Sequence, residues 1–205
     1  MPLVVFMRGV NVGTAKRFQP SLLATELEHL GVSNLGAAGT FIVRGKLGES
    51  ALRAEFLRRL PFACELMVCP GRDLLKLAAD EPFPESAEGP DLRRFVSVLA
   101  RRPRKPLALP WSYPAGDQWQ VKLVGVSGRF VLSLWRRFGR SSLEPNMVVE
   151  KQFGVSSTTR NWNTILRVCE VLQELPQAAR KVKTGSSAGQ RKRAGIPVVP
   201  TPRDT

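Results

Sequence analysis

The chain is expected to be an α+β protein: a ferredoxin-like βαββαβ first half, a second related α+β half, and a disordered basic C-terminal tail. Three observations carry this expectation. Strand and helix patterns alternate as β-α-β-β-α-β over roughly the first 70 residues. The stretch after residue 91 holds a similar mixture of strands and helices. From Pro176 onward the apolar pattern stops, and too little apolar surface is left to offset the entropy of ordering the chain. The expected divisions are 1–91, 92–175 and 176–205.

Residues 2–7 are apolar throughout, as in a strand covered on both faces. Gly9 and Gly13 bracket a loop. Pro20-Ser21 then opens a helix with Leu23, Leu27 and Leu30 on one stripe, and Gly31 stands at its C-terminal stop. Residues 35–43 are expected to hold two short strands around the Gly36-Ala37-Ala38-Gly39 break, or else one longer strand. Glu49-Ser50 opens a second helix carrying Leu52, Phe56 and Leu60 at four-residue steps. Pro61 stops it, and a strand over 62–69 follows.

The first division closes with a short helix over 70–79 and a loop over 81–90. A strand over 94–99 leads into the basic, Pro-rich run Arg101-Arg102-Pro103-Arg104-Lys105-Pro106. Residues 119–124 and 129–134 form a hairpin around Gly125-Val126-Ser127-Gly128. Helices are expected over 142–153 and 159–175, the latter with Trp162, Ile165, Cys169 and Leu172 on one stripe.

Composition narrows the function classes. With 43% hydrophobic and 23% charged residues the chain is globular. No stretch reaches about 18 consecutive apolar residues, so no membrane partner is expected. The N-terminal apolar run is too short for a secretory signal, which predicts a cytoplasmic protein. Cys64 and Cys69 fall on opposite faces of one expected strand and cannot pair. Cys169 lies on a helix's apolar stripe, and His29 on a helix surface. With one histidine and no C-x-x-C, neither a zinc site nor a Cys–His or Ser–His–Asp arrangement is expected, and no cofactor.

The net charge of +14 is unevenly placed. Residues 1–91 carry 10 basic and 11 acidic side chains, and residues 141–175 carry 3 and 4, so each segment is near −1. Residues 92–140 carry 11 basic side chains against Asp117, and the tail carries 7 against Asp204. A block of this kind attracts polyanions. Arg101, Arg102, Arg104, Lys105, Lys122, Arg129, Trp135 and Arg137 are its candidate contacts, with Lys122, Arg129, Trp135 and Arg137 on one face of the hairpin and Trp119, Val121, Leu123, Phe130, Leu132 and Leu134 on the other. The expected partner is nucleic acid or an anionic small molecule.

Two motifs suit the smaller ligand. Arg8 and the Gly9-Val10-Asn11-Val12-Gly13 loop combine a forked donor with a turn whose N–H groups can face an anion. Thr158-Thr159 reads as a helix N-cap, with Arg160, Asn161 and Asn163 clustered in the first turn. Arg8, Asn11, Gly13, Thr159, Arg160, Asn161 and Asn163 are therefore the candidate ligand residues, if the two motifs meet in one polar cleft. The competing expectation is structural: a tight turn at Asn11, and buried hydrogen bonds from Arg160 and Asn161. No paired carboxylates supply a general base, so the motifs alone do not make the protein an enzyme.

The same motifs carry a family resemblance. Phe6-Met7-Arg8-Gly9-Val10-Asn11-Val12-Gly13 resembles the "LRGINVG" opening of the domain of unknown function 1697 family, and Thr158-Thr159-Arg160-Asn161-Trp162-Asn163-Thr164 resembles its "TTRNWNT" signature. Between them, Ala79-Asp80-Glu81-Pro82-Phe83 is similar to its "NPF" stretch and Gly139-Arg140-Ser141-Ser142-Leu143 to its "G-x-S-K-L" stretch. The resemblance spans about residues 3–172. It implies an α+β protein with ferredoxin-like elements and supplies no function. Ala37-Ala38-Gly39-Thr40 replaces the family's "QSGN", and Ser142 replaces its Lys.

Overall fold

The computed structural model describes residues 1–11, 18–84, 89, 91–136 and 143–183, the last nine by backbone alone. Arg137 and Gly13 lie outside the described residues, as do the tail beyond residue 183 and the start of the helix expected from residue 142. The chain divides into two units, Met1–Leu172 and Gln173–Thr205. The second is described only as the end of the last helix, which runs to Lys183.

The first 70 residues form β1 (Leu3–Met7), α1 (Pro20–Glu26), β2 (Val32–Asn34), β3 (Thr40–Val43), α2 (Glu49–Arg59) and β4 (Leu66–Pro70). The sheet order is β2-β3-β1-β4, with every neighbouring pair antiparallel. Pro20 starts α1 because its fixed φ suits a first helical turn and its missing N–H would have no partner there. Gly31 ends a following 3-10 turn at φ 64°, a left-handed geometry that glycine adopts at little cost. β2 follows at once, earlier than the 35–43 expectation; the break at Gly36–Gly39 is the hairpin turn joining β2 to β3. β4 begins at Leu66, so Cys64 precedes the strand in which it was expected.

The helices α1 and α2 cover one face of this sheet. Val5, Met7, Phe41, Val43 and Val68 pack there with Leu23, Leu27, Leu52 and Phe56. The alternate residues Val4, Phe6, Ile42, Met67 and Cys69 point to the opposite face and are also fully buried. Burial on both faces is what the unbroken apolar run of residues 2–7 expresses.

The remaining elements are α3 (Gly71–Ala79), β5 (Leu92–Leu99), β6 (Trp111–Tyr113), β7 (Val121–Ser127), β8 (Phe130–Arg136), α4 (Pro145–Phe153), β9 (Ser157–Asn161) and α5 (Trp162–Lys183). The second sheet runs β6-β7-β8-β5-β9, again with antiparallel neighbours. The two sheets share a plan. Helix α2 carries the chain from β3 over β1 to β4, and α4 carries it from β8 over β5 to β9. Where the first half places α1 and β2, the second places the β6–β7 pair. The architecture is α+β, with two antiparallel sheets and five α-helices among the described residues.

Two expectations are corrected and one strand is added. Residues 159–161 are strand, and the last helix starts at Trp162. The Thr158-Thr159 cap is therefore replaced by Asn161, whose Oδ1 accepts the Asn163 N–H at 2.9 Å. A polar five-residue strand has no hydrophobic alternation, so it reads as a helix entry. β6 was not anticipated, because Trp111-Ser112-Tyr113 is too short to register a period. The hairpin faces were also misassigned. The register pairs Val121 with Trp135 and Leu123 with Ser133, which puts Trp135 on the face carrying Val121 and Leu123. Phe130, Leu132 and Leu134 occupy the other face with Lys122, which pairs with Leu134, and are buried too. A register shift between Leu123 and Gly125 changes the parity that simple counting assumes.

Candidate functional site

The two sequence motifs come together. Arg8, Gly9, Asn146, Ser157, Thr159 and Arg160 are among the residues lining one cleft of about 440 Å³. The alternation of β9 builds it. Ser157 and Thr159 turn towards α4, where both hydroxyls donate to Asn146 Oδ1, at 2.8 and 3.0 Å. Thr158 and Arg160 turn towards the first sheet, where the Thr158 hydroxyl donates to the Met7 carbonyl at 3.1 Å.

Arg160 is 7% exposed, and its guanidinium is saturated. Nε donates to Thr40 Oγ1 at 2.9 Å, and Nη1 to Thr158 Oγ1 and the Thr159 carbonyl at 2.8 and 2.9 Å. Nη2 donates to the carbonyls of Met7 at 2.9 Å, Ala38 at 2.6 Å and Gly39 at 3.3 Å. Every acceptor is neutral. Burial pushes this guanidinium down to about 10, so it keeps its charge at neutral pH. Gly39 makes the approach possible: its φ is 67°, and a Cβ there would fall 2.9 Å from the Met7 side chain. Thr40 stands where the family pattern has Asn and still presents a side-chain oxygen. The backbone carbonyl of Ala38 serves whatever its side chain is.

Arg8 is engaged differently. Its Nε and Nη2 form a fork on Glu150, at 2.9 and 2.8 Å, and Nη1 lies 3.7 Å from Glu65. Nε also reaches the Ser157 carbonyl at 3.2 Å. Glu150 Oε1 accepts the Ser157 N–H at 2.6 Å. Burial alone would raise the Glu150 carboxyl pKa; the Arg8 and Ser157 hydrogen bonds and the Arg8 charge outweigh it and hold the pKa below the ordinary value. Neither arginine is left with a charge and donors open to a ligand.

The remaining candidates of this group are structural or peripheral. Asn11, at φ 56°, clamps its loop: Nδ2 donates to the carbonyls of Phe18 and Ala37 at 2.8 and 2.7 Å, and Oδ1 accepts the Phe18 N–H at 2.9 Å. Asn161 caps α5, and Asn163 is exposed on its first turn.

The basic candidates separate into groups. Arg101, Arg104 and Lys105 are exposed and line a pocket of about 470 Å³ with Lys151, Gln152 and Phe153. No acidic residue lines it, and none of its four cations makes an ion pair with a described residue. Arg102 lies apart, in a cavity of about 350 Å³ that it shares with Arg129 and Asp73. Arg129 ties the sheets together, donating from Nε to the Leu99 carbonyl at 2.9 Å and from Nη1 to the Val68 carbonyl at 2.8 Å. The Lys122 ammonium stands 4.5 Å from the Trp119 ring centre. Trp135 packs at the edge of the β7–α4 core, and its indole N–H donates to the Leu143 carbonyl at 2.9 Å.

Sequence reasoning missed Glu150, Asn146 and Lys151, all on α4, and the rings of Trp111 and Tyr113. Those rings are stacked, with centres 6.0 Å apart and planes at 13°. They line a second cavity, of about 300 Å³, with Leu143, Met147, Lys151 and Gln152. A solitary lysine in a nearly neutral segment carries no sequence signal. The fold alone brings it beside residues 101–105.

Comparison with known proteins gives a family and a fold. A family model described as "Protein of unknown function (DUF1697)" matches residues 1–126. The solved structure of the conserved bacterial protein SP0830 from Streptococcus pneumoniae superposes with a TM-score of 0.55 at 17% identity, over 83% of this chain and 98% of that one. No curated protein matches the sequence.

Proposed function

Because the chain belongs to the DUF1697 family of proteins of unknown function, whose name assigns no activity, we propose its role from geometry: it is a polyanion-binding protein, and the contact surface is the pocket of Arg101, Arg104, Lys105 and Lys151. The observation that carries this reading is four cations around one open pocket of about 470 Å³ without an acidic residue in its lining. Such charges gather counterions in solution, and a polyanion gains affinity by releasing its own as it replaces them. The polar cleft is the poorer anion site. The Arg8 charge is offset by Glu150, and six protein oxygens occupy the Arg160 donors.

Fluorescence anisotropy with a labelled single-stranded oligonucleotide, and competition by inorganic polyphosphate, test the reading across a salt series. Neutralising about three or four phosphates predicts a log K against log salt slope of roughly −2 to −3. The combined Arg101→Gln, Arg104→Gln and Lys105→Gln variant is expected to flatten that slope. Absence of binding by either polyanion, or affinity indifferent to salt, overturns it.

A further inference from the structure

We infer that the polyanion is single-stranded nucleic acid, with one base seated against the stacked Trp111–Tyr113 pair while its backbone phosphate lies among Arg101, Arg104, Lys105 and Lys151. This inference rests on the polyanion reading above and adds the chemistry of the ligand. Its basis is that two cavities of different character adjoin: Lys151 and Gln152 line both the basic pocket and the aromatic one.

The aromatic cavity is shaped by the sheet edge. β6 is the outermost strand, and its register sets Trp111 opposite Leu123 and Tyr113 opposite Val121, so both rings lie on the face that α4 covers. Helix α4 does not close over them. A cavity of about 300 Å³ remains between the rings and Met147, and Met147 stays 65% exposed at its mouth. Two half-buried rings and an exposed apolar side chain in one lining offer an apolar surface for a planar group. The rings are already held by the strand and by each other, so a planar ligand meets a preformed surface.

Charge decides what kind of planar ligand fits. The Lys151 ammonium stands over the Tyr113 ring, 5.6 Å from its centre, so a positive charge lies at the aromatic cavity. Gln152, exposed on the same rim, carries both donors and an acceptor for the edge of a base. A group that is flat, apolar on its faces, hydrogen-bonding at its edge and attached to a phosphate is a nucleotide. A linear strand of them also engages the remaining cations. Polyphosphate or a sulfated sugar has no flat face to place on that surface. Stacking tolerates any base, so this surface selects single strands with little sequence preference.

The test compares two single-stranded ligands of equal length and charge: an oligothymidylate of about 12 nucleotides and the same backbone without bases. The base-bearing strand is expected to bind roughly 5- to 150-fold more tightly. Trp111→Ala and Tyr113→Ala should each reduce that preference. Equal binding of the two strands by the unmodified protein overturns the base seat and leaves the polyanion reading intact. No binding of either strand overturns both. The unmodified protein decides the question by itself, so a variant that fails to fold does not blunt it.

Discussion

Arg160 illustrates how a single side chain holds two sheets in register. Its guanidinium contacts β1, the β2–β3 turn, β3 and its own strand, all through neutral oxygens. Truncation leaves the buried Thr40 hydroxyl without this donor, and an unsatisfied buried polar group costs about 1–3 kcal/mol. Removing a charge that burial disfavours offsets part of this. Arg160→Ala is therefore expected to lower stability by about 1–3 kcal/mol, read from the urea midpoint; a change below about 1 kcal/mol would contradict the tie. Glu150 gives a pH dependence. Its pKa is lowered in the folded state, so its contribution is complete above the unfolded value of about 4.3 and is lost as pH falls through the lower folded value. Unfolding midpoints taken from pH 7 to about pH 3 should fall more steeply for the native protein than for Glu150→Gln. Parallel curves would show that the Arg8–Glu150 fork contributes nothing to folding.

The elements were legible to different degrees, for physical reasons. β1, α1, α2 and α3 follow the sequence pattern because apolar spacing, Pro20, Gly31 and Pro61 all agree locally. β9 did not, since Ser157-Thr158-Thr159-Arg160-Asn161 alternates between two polar environments, α4 on one side and β1 on the other. Its assignment depends on pairing with β5. The structure moves the start of α5 to Trp162, with Asn161 as its cap. Asn161→Ala should cost about 1 kcal/mol and Asn161→Asp much less, measured by thermal unfolding. Equal effects of the two substitutions would place the role of Asn161 elsewhere, for instance in the strand. The candidate site divides the same way. Arg101, Arg104 and Lys105 announce themselves as a charge run, whereas Lys151 is a lone cation on α4 and β6 is three residues long.

Across the whole molecule, Met1–Leu172 forms one unit built from two sheets of related plan. Arg8, Arg129 and Arg160 each reach from one sequence half to groups of the other. Calorimetry is expected to give a single unfolding transition with matching calorimetric and van't Hoff enthalpies; two resolved transitions would mean that the halves fold independently. No helix among the described residues is long and apolar enough to cross a membrane. By itself the sequence determined the α+β class, the family, and the concentration of basic residues in 92–140, because each depends on local pattern or on summation along the chain. Only the tertiary structure decided that the Arg8 and Arg160 motifs share a cleft, that the Arg8 charge is paired with Glu150 and the Arg160 donors are used internally, and that Lys151 and the Trp111–Tyr113 rings adjoin the basic run. Those outcomes depend on which faces pair and on which atoms remain within hydrogen-bonding distance after the sheets close, and spacing along a chain carries no record of either.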